Sequence, residues 1–300
     1  MAAAAERPDA ARGGLLARYP LVSFFLLSFV FTWGYIALHW ALQLPKPMYA
    51  LAAAGPTVAA FLILAVTSGK PGVLHLLRSY VHWRVGVRWY LVSLIGVQVL
   101  MLLAFVVVPG GLADFAAPDW SFLPFYLGEA AFTLLLAGGP LLEEGGWRGF
   151  ALPRLQRLHG PLIGTIILGA LWSLWHLQIF VGPLAITGPD ATFVGVSSAF
   201  VLFTIALISF SIIMTWVLNN CGGSVLLAIL LHWAFDMSPA FVRLFPSTTP
   251  YYVPVSFQGM GIAIVFGIAA LVIVVATRGQ LGYQRYQREV EFPATAETAR

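Results

Sequence analysis

Glu143 and Glu144 stand side by side within an apolar stretch and are followed by Gly145, Gly146, Trp147 and Arg148. On a helix Glu144 and Arg148 are i and i+4, so they share a face and can pair. Glu143 is turned about 100° away and is free to face another helix. A second set, Trp172-Ser173-Leu174-Trp175-His176, and a third, His232-Trp233-Ala234-Phe235-Asp236, add two imidazoles and another carboxylate, with His232 and Asp236 again on one helical face. Two kinds of hydrolytic chemistry suit these groups. In one, Glu143 activates a water that His176 helps to orient, while His232 and Asp236 hydrogen-bond the oxyanion of a tetrahedral intermediate. In the other, Glu143, His176 and His232 ligate one divalent metal, such as zinc, with an open water position. Proton or ion transport through the same cluster is a third reading that spacing leaves open.

The elements that must position these groups are membrane spans. The chain has 300 residues, of which 60% are apolar and 9% charged; soluble domains average about 25% charged residues. That balance excludes a disordered chain and a nucleic-acid-binding domain, and the single cysteine, Cys221, excludes an internal disulfide. Apolar runs broken by Gly, Pro and charge fall at 20–42, 47–68, 87–108, 122–150, 161–181, 194–218, 223–245 and 257–277. Each reaches the roughly 20 residues needed to cross the hydrocarbon core. The expected architecture is therefore all-α and polytopic, with about eight transmembrane helices and the site between the fourth, fifth and seventh. Residues 19–278 form one membrane domain between two cytoplasmic tails, 1–18 and 279–300. Lys70, Arg78 and Arg84 among apolar residues mark 70–86 as an amphipathic interfacial helix.

Cation placement orients the spans. With the N-terminus inside, Arg7, Arg12, Arg18, Lys70, Arg78, Arg84, Arg88, Arg148, Arg154, Arg157, Arg278, Arg285, Arg288 and Arg300 fall at inner ends, and only Lys46 and Arg243 at outer ends. The positive-inside rule then predicts a multi-pass protein of the cell membrane with both termini cytoplasmic. Asp114, Asp119 and Asp190 fall in outer loops. His39 and Glu129 are isolated in their runs and read as interhelical hydrogen-bond partners. The acidic, Trp-His and His-Asp sets can meet at one depth, in the cytoplasmic half, with an opening towards the cytoplasm. Pro140, Gly145 and Gly146 weaken the helix there, and such irregularity at membrane depth requires burial in protein or a wet cavity.

Together the three sets resemble the CAAX-prenyl-protease and bacteriocin-processing (CPBP, or Abi) family of intramembrane endopeptidases. The family pattern is EExxxR, aromatic-xxx-His and His-xxx-Asn/Asp, which stands here as Glu143-Glu144-xxx-Arg148, Trp172-xxx-His176 and His232-xxx-Asp236. The resemblance covers roughly residues 122–245. It implies peptide-bond hydrolysis, with Glu143 as the water-activating base assisted by His176. It further implies an oxyanion-stabilising or metal-facing role for His232 and Asp236, and a supporting or substrate-contacting role for Glu144 and Arg148. The implied partners are a peptide or membrane-protein substrate and the lipid bilayer. Some relatives are non-proteolytic immunity or scaffold proteins, which is the alternative function. The family includes enzymes filed as metalloendopeptidases, and the absence of HExxH leaves this chain without the zincin signature. Trp172 stands where phenylalanine is frequent, and Asp236 stands at a position shared with Asn.

Overall fold

A computed structural model of the chain describes residues 14–109, 117–134, 139–181, 186–188, 191–245 and 255–291. Residues 1–13 with Arg7 and Arg12, the loop acids Asp114 and Asp190, Gly138 and Arg300 lie outside the described residues. The described chain is helical, as its long apolar runs require: in lipid the backbone must satisfy its own hydrogen bonds. The helices used below are α1 (Pro20–Ala41), α2 (Gly55–Thr67), α3 (Gly69–Tyr80), α4 (Val87–Val107), α5 (Leu123–Phe132), α6 (Gly139–Gly146), α7 (Leu152–His159), α8 (Pro161–Trp175), α9 (Phe193–Asn220), α10 (Val225–Asp236), α11 (Val255–Ala276) and α12 (Tyr283–Tyr286).

Six helical spans among the described residues are long and apolar enough to cross a membrane, making this a polytopic membrane protein. They correspond to six of the eight apolar runs. The other two are the runs that carry Glu143 and His232, and both are built from shorter pieces. In the fourth run α6 gives way to a π-turn, Trp147–Ala151, and the seventh is the twelve-residue α10 followed by a one-turn helix, Ser238–Val242. The Gly145-Gly146 pair stands just before the first interruption and Pro239 just after the second, and both residue types are poor in helix interiors.

The 28-residue α9 forms the centre of the bundle. It packs against α8 on one side and α11 on the other, and 61% of its apolar window is buried, against 22–39% for the other spans. Around it, α2 lies between α1 and α6, and α6 touches α10. Gly146 sets the α2–α6 approach, because a side chain there would collide with the Pro56 backbone. The expected interfacial helix is present as α3. Its Tyr80 hydroxyl lies against Gly145 and donates to the Leu141 carbonyl, tying α3 to α6. The segment after α11 is packed as far as the described chain extends: Leu281, Tyr283 and Tyr286 are buried. Asn219 donates to both Gln156 Oε1 (2.8 Å) and the Leu281 carbonyl (3.0 Å), so 279–291 is held to the bundle rather than free of it.

Candidate active site

The Glu143, His176 and His232 sets each sit at an interruption of a helix. After Gly146 the chain makes one π-turn, Trp147–Ala151, before continuing as α7. His176 is the C-cap of α8, and Asp236 is the last residue of α10. Breaks of this kind, π-turns among them, re-aim side chains and recur at functional sites.

α6 contributes the two glutamates, both buried, as is Arg148. Their partners differ. Glu144 Oε1 accepts from Arg148 Nη1 at 2.9 Å and lies 2.8 Å from His232 Nδ1. Arg148 Nη2 donates to Ser211 on α9 at 3.2 Å, and its guanidinium lies 4.0 Å above the Trp172 ring. Glu143 Oε2 instead accepts from the indole N–H of Trp172 at 2.9 Å. Glu143 Oε1 and Asp236 Oδ2 both border the space beside Gly139, where an added Cβ would lie 3.7 and 3.9 Å from them. His232 Nε2 is 3.6 Å from Asp236 Oδ1, an electrostatic contact beyond hydrogen-bonding distance.

Trp172 is the hub of the arrangement. Its ring lies 5.0 Å from that of His232 and 5.7 Å from that of His176, both edge-on. His176 Nδ1 is 2.9 Å from the Trp172 carbonyl, and its ring packs at 4.6 Å against Trp175. All six candidate residues are therefore linked, directly or through Trp172, into one cluster walled by Phe203, Phe210 and Phe235. His39 lies elsewhere, packed among Trp40 and Tyr49.

Two features of the cluster had no counterpart in the residue spacing. The indole N–H of Trp172 is a hydrogen-bond donor to Glu143; tryptophan where phenylalanine is frequent was the available signal. Ser211 belongs to no motif, and nothing in the sequence marks it. Trp147 and Trp175 are buried core residues packed edge-on against each other at 5.8 Å.

The cluster is covered on one side. Glu144, Arg148 and His232 are buried, whereas the Asp236 side chain is 44% exposed and His176 is half-buried. α10 runs away from the end of the bundle where α9 stops, so the exposed edge at Asp236 lies about 18 Å along the axis from Ser224. The expected opening faced the end rich in arginine; among the described residues the uncovered edge lies towards the other end, because Asp236 closes the helix that His232 occupies one turn earlier. Ser211 is nine residues before Asn220, about 13 Å by helical rise, so the cluster is near mid-depth on α9.

As placed, Glu143, His176 and His232 do not form a metal-binding set. Among the described residues no group of three or more His, Cys, Asp or Glu side chains could hold a metal ion. One His232 nitrogen is committed to Glu144. The other ring nitrogen, Nε2, is left towards Asp236, and the chemistry below is derived from the chain's own groups.

Residues 124–238 match the family described as type II CAAX prenyl endopeptidase Rce1-like. The chain is also 28% identical over 127 residues to CAAX prenyl protease 2 of Methanococcus maripaludis, an alignment covering 39% of this chain and 42% of that protein. The chain thus matches less than half the length of that curated relative. The family match falls on the part of the chain that holds Glu143, His176 and His232.

Proposed function

We propose that this chain is an intramembrane endopeptidase in which Glu143 activates the attacking water, a reading supported by the match of residues 124–238 to the CAAX prenyl endopeptidase family. One observation carries this reading: the adjacent glutamates have divided their partners. Glu144 is neutralised by Arg148 and held by His232, while Glu143 keeps Oε1 towards the space it shares with Asp236.

The reaction then runs as follows. A peptide carbonyl enters the space beside Gly139 with a water against Glu143 Oε1. Glu143 takes a proton from the water as its oxygen bonds to the carbonyl carbon, and Trp172 N–H holds the other carboxyl oxygen in place. His176, held through Nδ1 on the Trp172 carbonyl, accepts a hydrogen bond from the same water at Nε2. Negative charge passes to the carbonyl oxygen, where protonated His232, positioned by Glu144, donates from Nε2. Glu143 returns the proton to the amide nitrogen, the C–N bond breaks, and a carboxylic acid and an amine leave, the acid then passing its proton to the amine. Asp236 at the exposed edge holds His232 electrostatically and meets the substrate first. The substrate is a peptide or membrane protein reached within the bilayer. By the distribution of cations, the end of the bundle bearing Arg84, Arg157 and Arg285 is cytoplasmic.

The test compares N- and C-terminal peptide profiles of membranes from cells carrying wild type or Glu143→Gln at matched levels. General-base removal costs on the order of 10²–10⁴-fold, so termini generated by wild type are expected to vanish in the variant. Identical profiles with the variant inserted and abundant would favour a non-proteolytic immunity or scaffold role. Loss of cleavage on chelation, restored by zinc, would instead assign a metal to Glu143, His176 and His232.

A further inference from the structure

At the end of the bundle where α4 begins and α9 ends, a cavity of about 260 Å³ opens between three parts of the chain that are distant in sequence. Arg84 and Arg88 come from the start of α4, Cys221 from the turn after α9, and Arg285 with Glu289 from the packed segment after α11. None of these residues belongs to the Glu143 cluster. The floor is apolar: Trp89 is buried, with its ring edge-on to Trp216 at 5.0 Å, and Cys221 is buried beside it. Burial pushes the Cys221 thiol up to about 12, so it adds no charge at neutral pH.

The rim is charged and unbalanced. Arg285 Nε is 2.6 Å from Glu289 Oε1, which leaves one carboxylate against three guanidinium groups. Arg84 and Arg88 are exposed, and each lies against a neighbouring indole, Trp83 at 5.3 Å and Trp89 at 5.0 Å. A guanidinium at this distance from an indole face gains a cation–π contact, and its planar fork of N–H donors matches the oxygens of a phosphate. The cavity lies where two spans end, at the level expected of lipid head groups.

We propose that this cavity binds a phosphate group, carried either by the head group of an anionic phospholipid or by a soluble phosphate. A bound phosphate bridges the start of α4 to the segment after α11. Glu289 competes for Arg285, so affinity rises when that carboxylate is neutralised.

The purified full chain in neutral detergent tests this by thermal unfolding against three additions: phosphatidylglycerol, phosphatidylcholine and inorganic phosphate. Phosphatidylglycerol is expected to raise the unfolding midpoint where phosphatidylcholine does not. The Arg88→Gln/Arg285→Gln double variant loses the shift, and Glu289→Gln lowers the half-saturating concentration by about five-fold, the scale of one charge near an anionic surface. A shift reproduced by inorganic phosphate assigns the soluble ligand; one confined to phosphatidylglycerol assigns the lipid. Absence of any shift in wild type, or equal shifts in wild type and both variants, overturns the proposal. If the double variant does not fold, Glu289→Gln decides alone, and unchanged or weaker binding in it overturns the proposal.

Discussion

Neighbouring residues on a helix point about 100° apart, and the Glu143-Glu144 pair uses that angle to separate structure from chemistry. Glu144 points to Arg148 and His232 and completes a buried ion pair; removing one partner would leave an uncompensated buried charge, a loss of about 3–5 kcal/mol. Glu143 points to Trp172 and to the space beside Gly139. The Trp172 N–H is a hydrogen bond to an ionisable acceptor, of a kind whose net contribution is about 1.5–3 kcal/mol. Trp172→Phe keeps a six-membered ring beside Arg148 and His232 and removes the N–H donor together with the five-membered ring of a buried indole. We expect turnover of the folded variant to fall by roughly ten- to a hundred-fold, with the unfolding midpoint in detergent lowered by the lost hydrogen bond and buried volume. A variant with wild-type turnover would remove Trp172 from the positioning of Glu143. The role of the indole nitrogen illustrates what spacing misses: an aromatic one turn before His176 was legible, but the 2.9 Å contact from α8 to α6 depends on how two helices cross.

Helices that are interrupted carry the site, and helices that are continuous carry the bundle. A regular span satisfies its own backbone and offers lipid or neighbours only side chains, whereas a break turns the next side chain out of the helical register. The π-turn at Trp147–Ala151 still leaves Arg148 in contact with Glu144, and the α8 C-cap brings His176 Nδ1 to the Trp172 carbonyl. Glycine keeps space at the start of α6. An alanine methyl at Gly139 would make ordinary contacts, 3.7 and 3.9 Å from Glu143 Oε1 and Asp236 Oδ2, so it fits without strain. Gly139→Ala is therefore expected to hold stability within about 1 kcal/mol of wild type but to lower kcat/KM by filling the space where water and carbonyl meet. Unaltered kcat/KM in a proteoliposome cleavage assay would mean that catalysis occurs elsewhere around Glu143.

For the molecule as a whole, aromatic packing around α9 makes one continuous core from α1 to α11, running from Phe24 and Trp147 through Trp172 and Phe210 to Phe266. Orientation in the membrane follows from where the cations lie rather than from that core. In a Cys221→Ser background, a cysteine placed at Arg285 is expected to resist a membrane-impermeant maleimide in intact cells, and one at Trp120, which is exposed, to react. The reverse pattern would invert the topology and with it the side from which the exposed Asp236 edge is reached. Wild-type Cys221 is itself expected to label slowly, since it is buried and protonated at neutral pH.

Composition and periodicity alone determined that this chain is a helical membrane protein, because 20-residue apolar runs have no other stable form in lipid. The three motif sets were equally legible, because ionisable residues at membrane depth are costly and therefore conspicuous. Their i,i+4 pairing followed from helical geometry, as Glu144–Arg148 shows. Tertiary structure decided the rest. The Glu143 and His232 runs are broken rather than straight, since the breaks are stable only where neighbouring helices cover them. Trp172 and Ser211 join the cluster from α8 and α9, contacts fixed by helix crossing rather than by spacing. The exposed edge lies at Asp236, because burial depends on which helices stand opposite, and a linear sequence does not encode its neighbours one residue at a time.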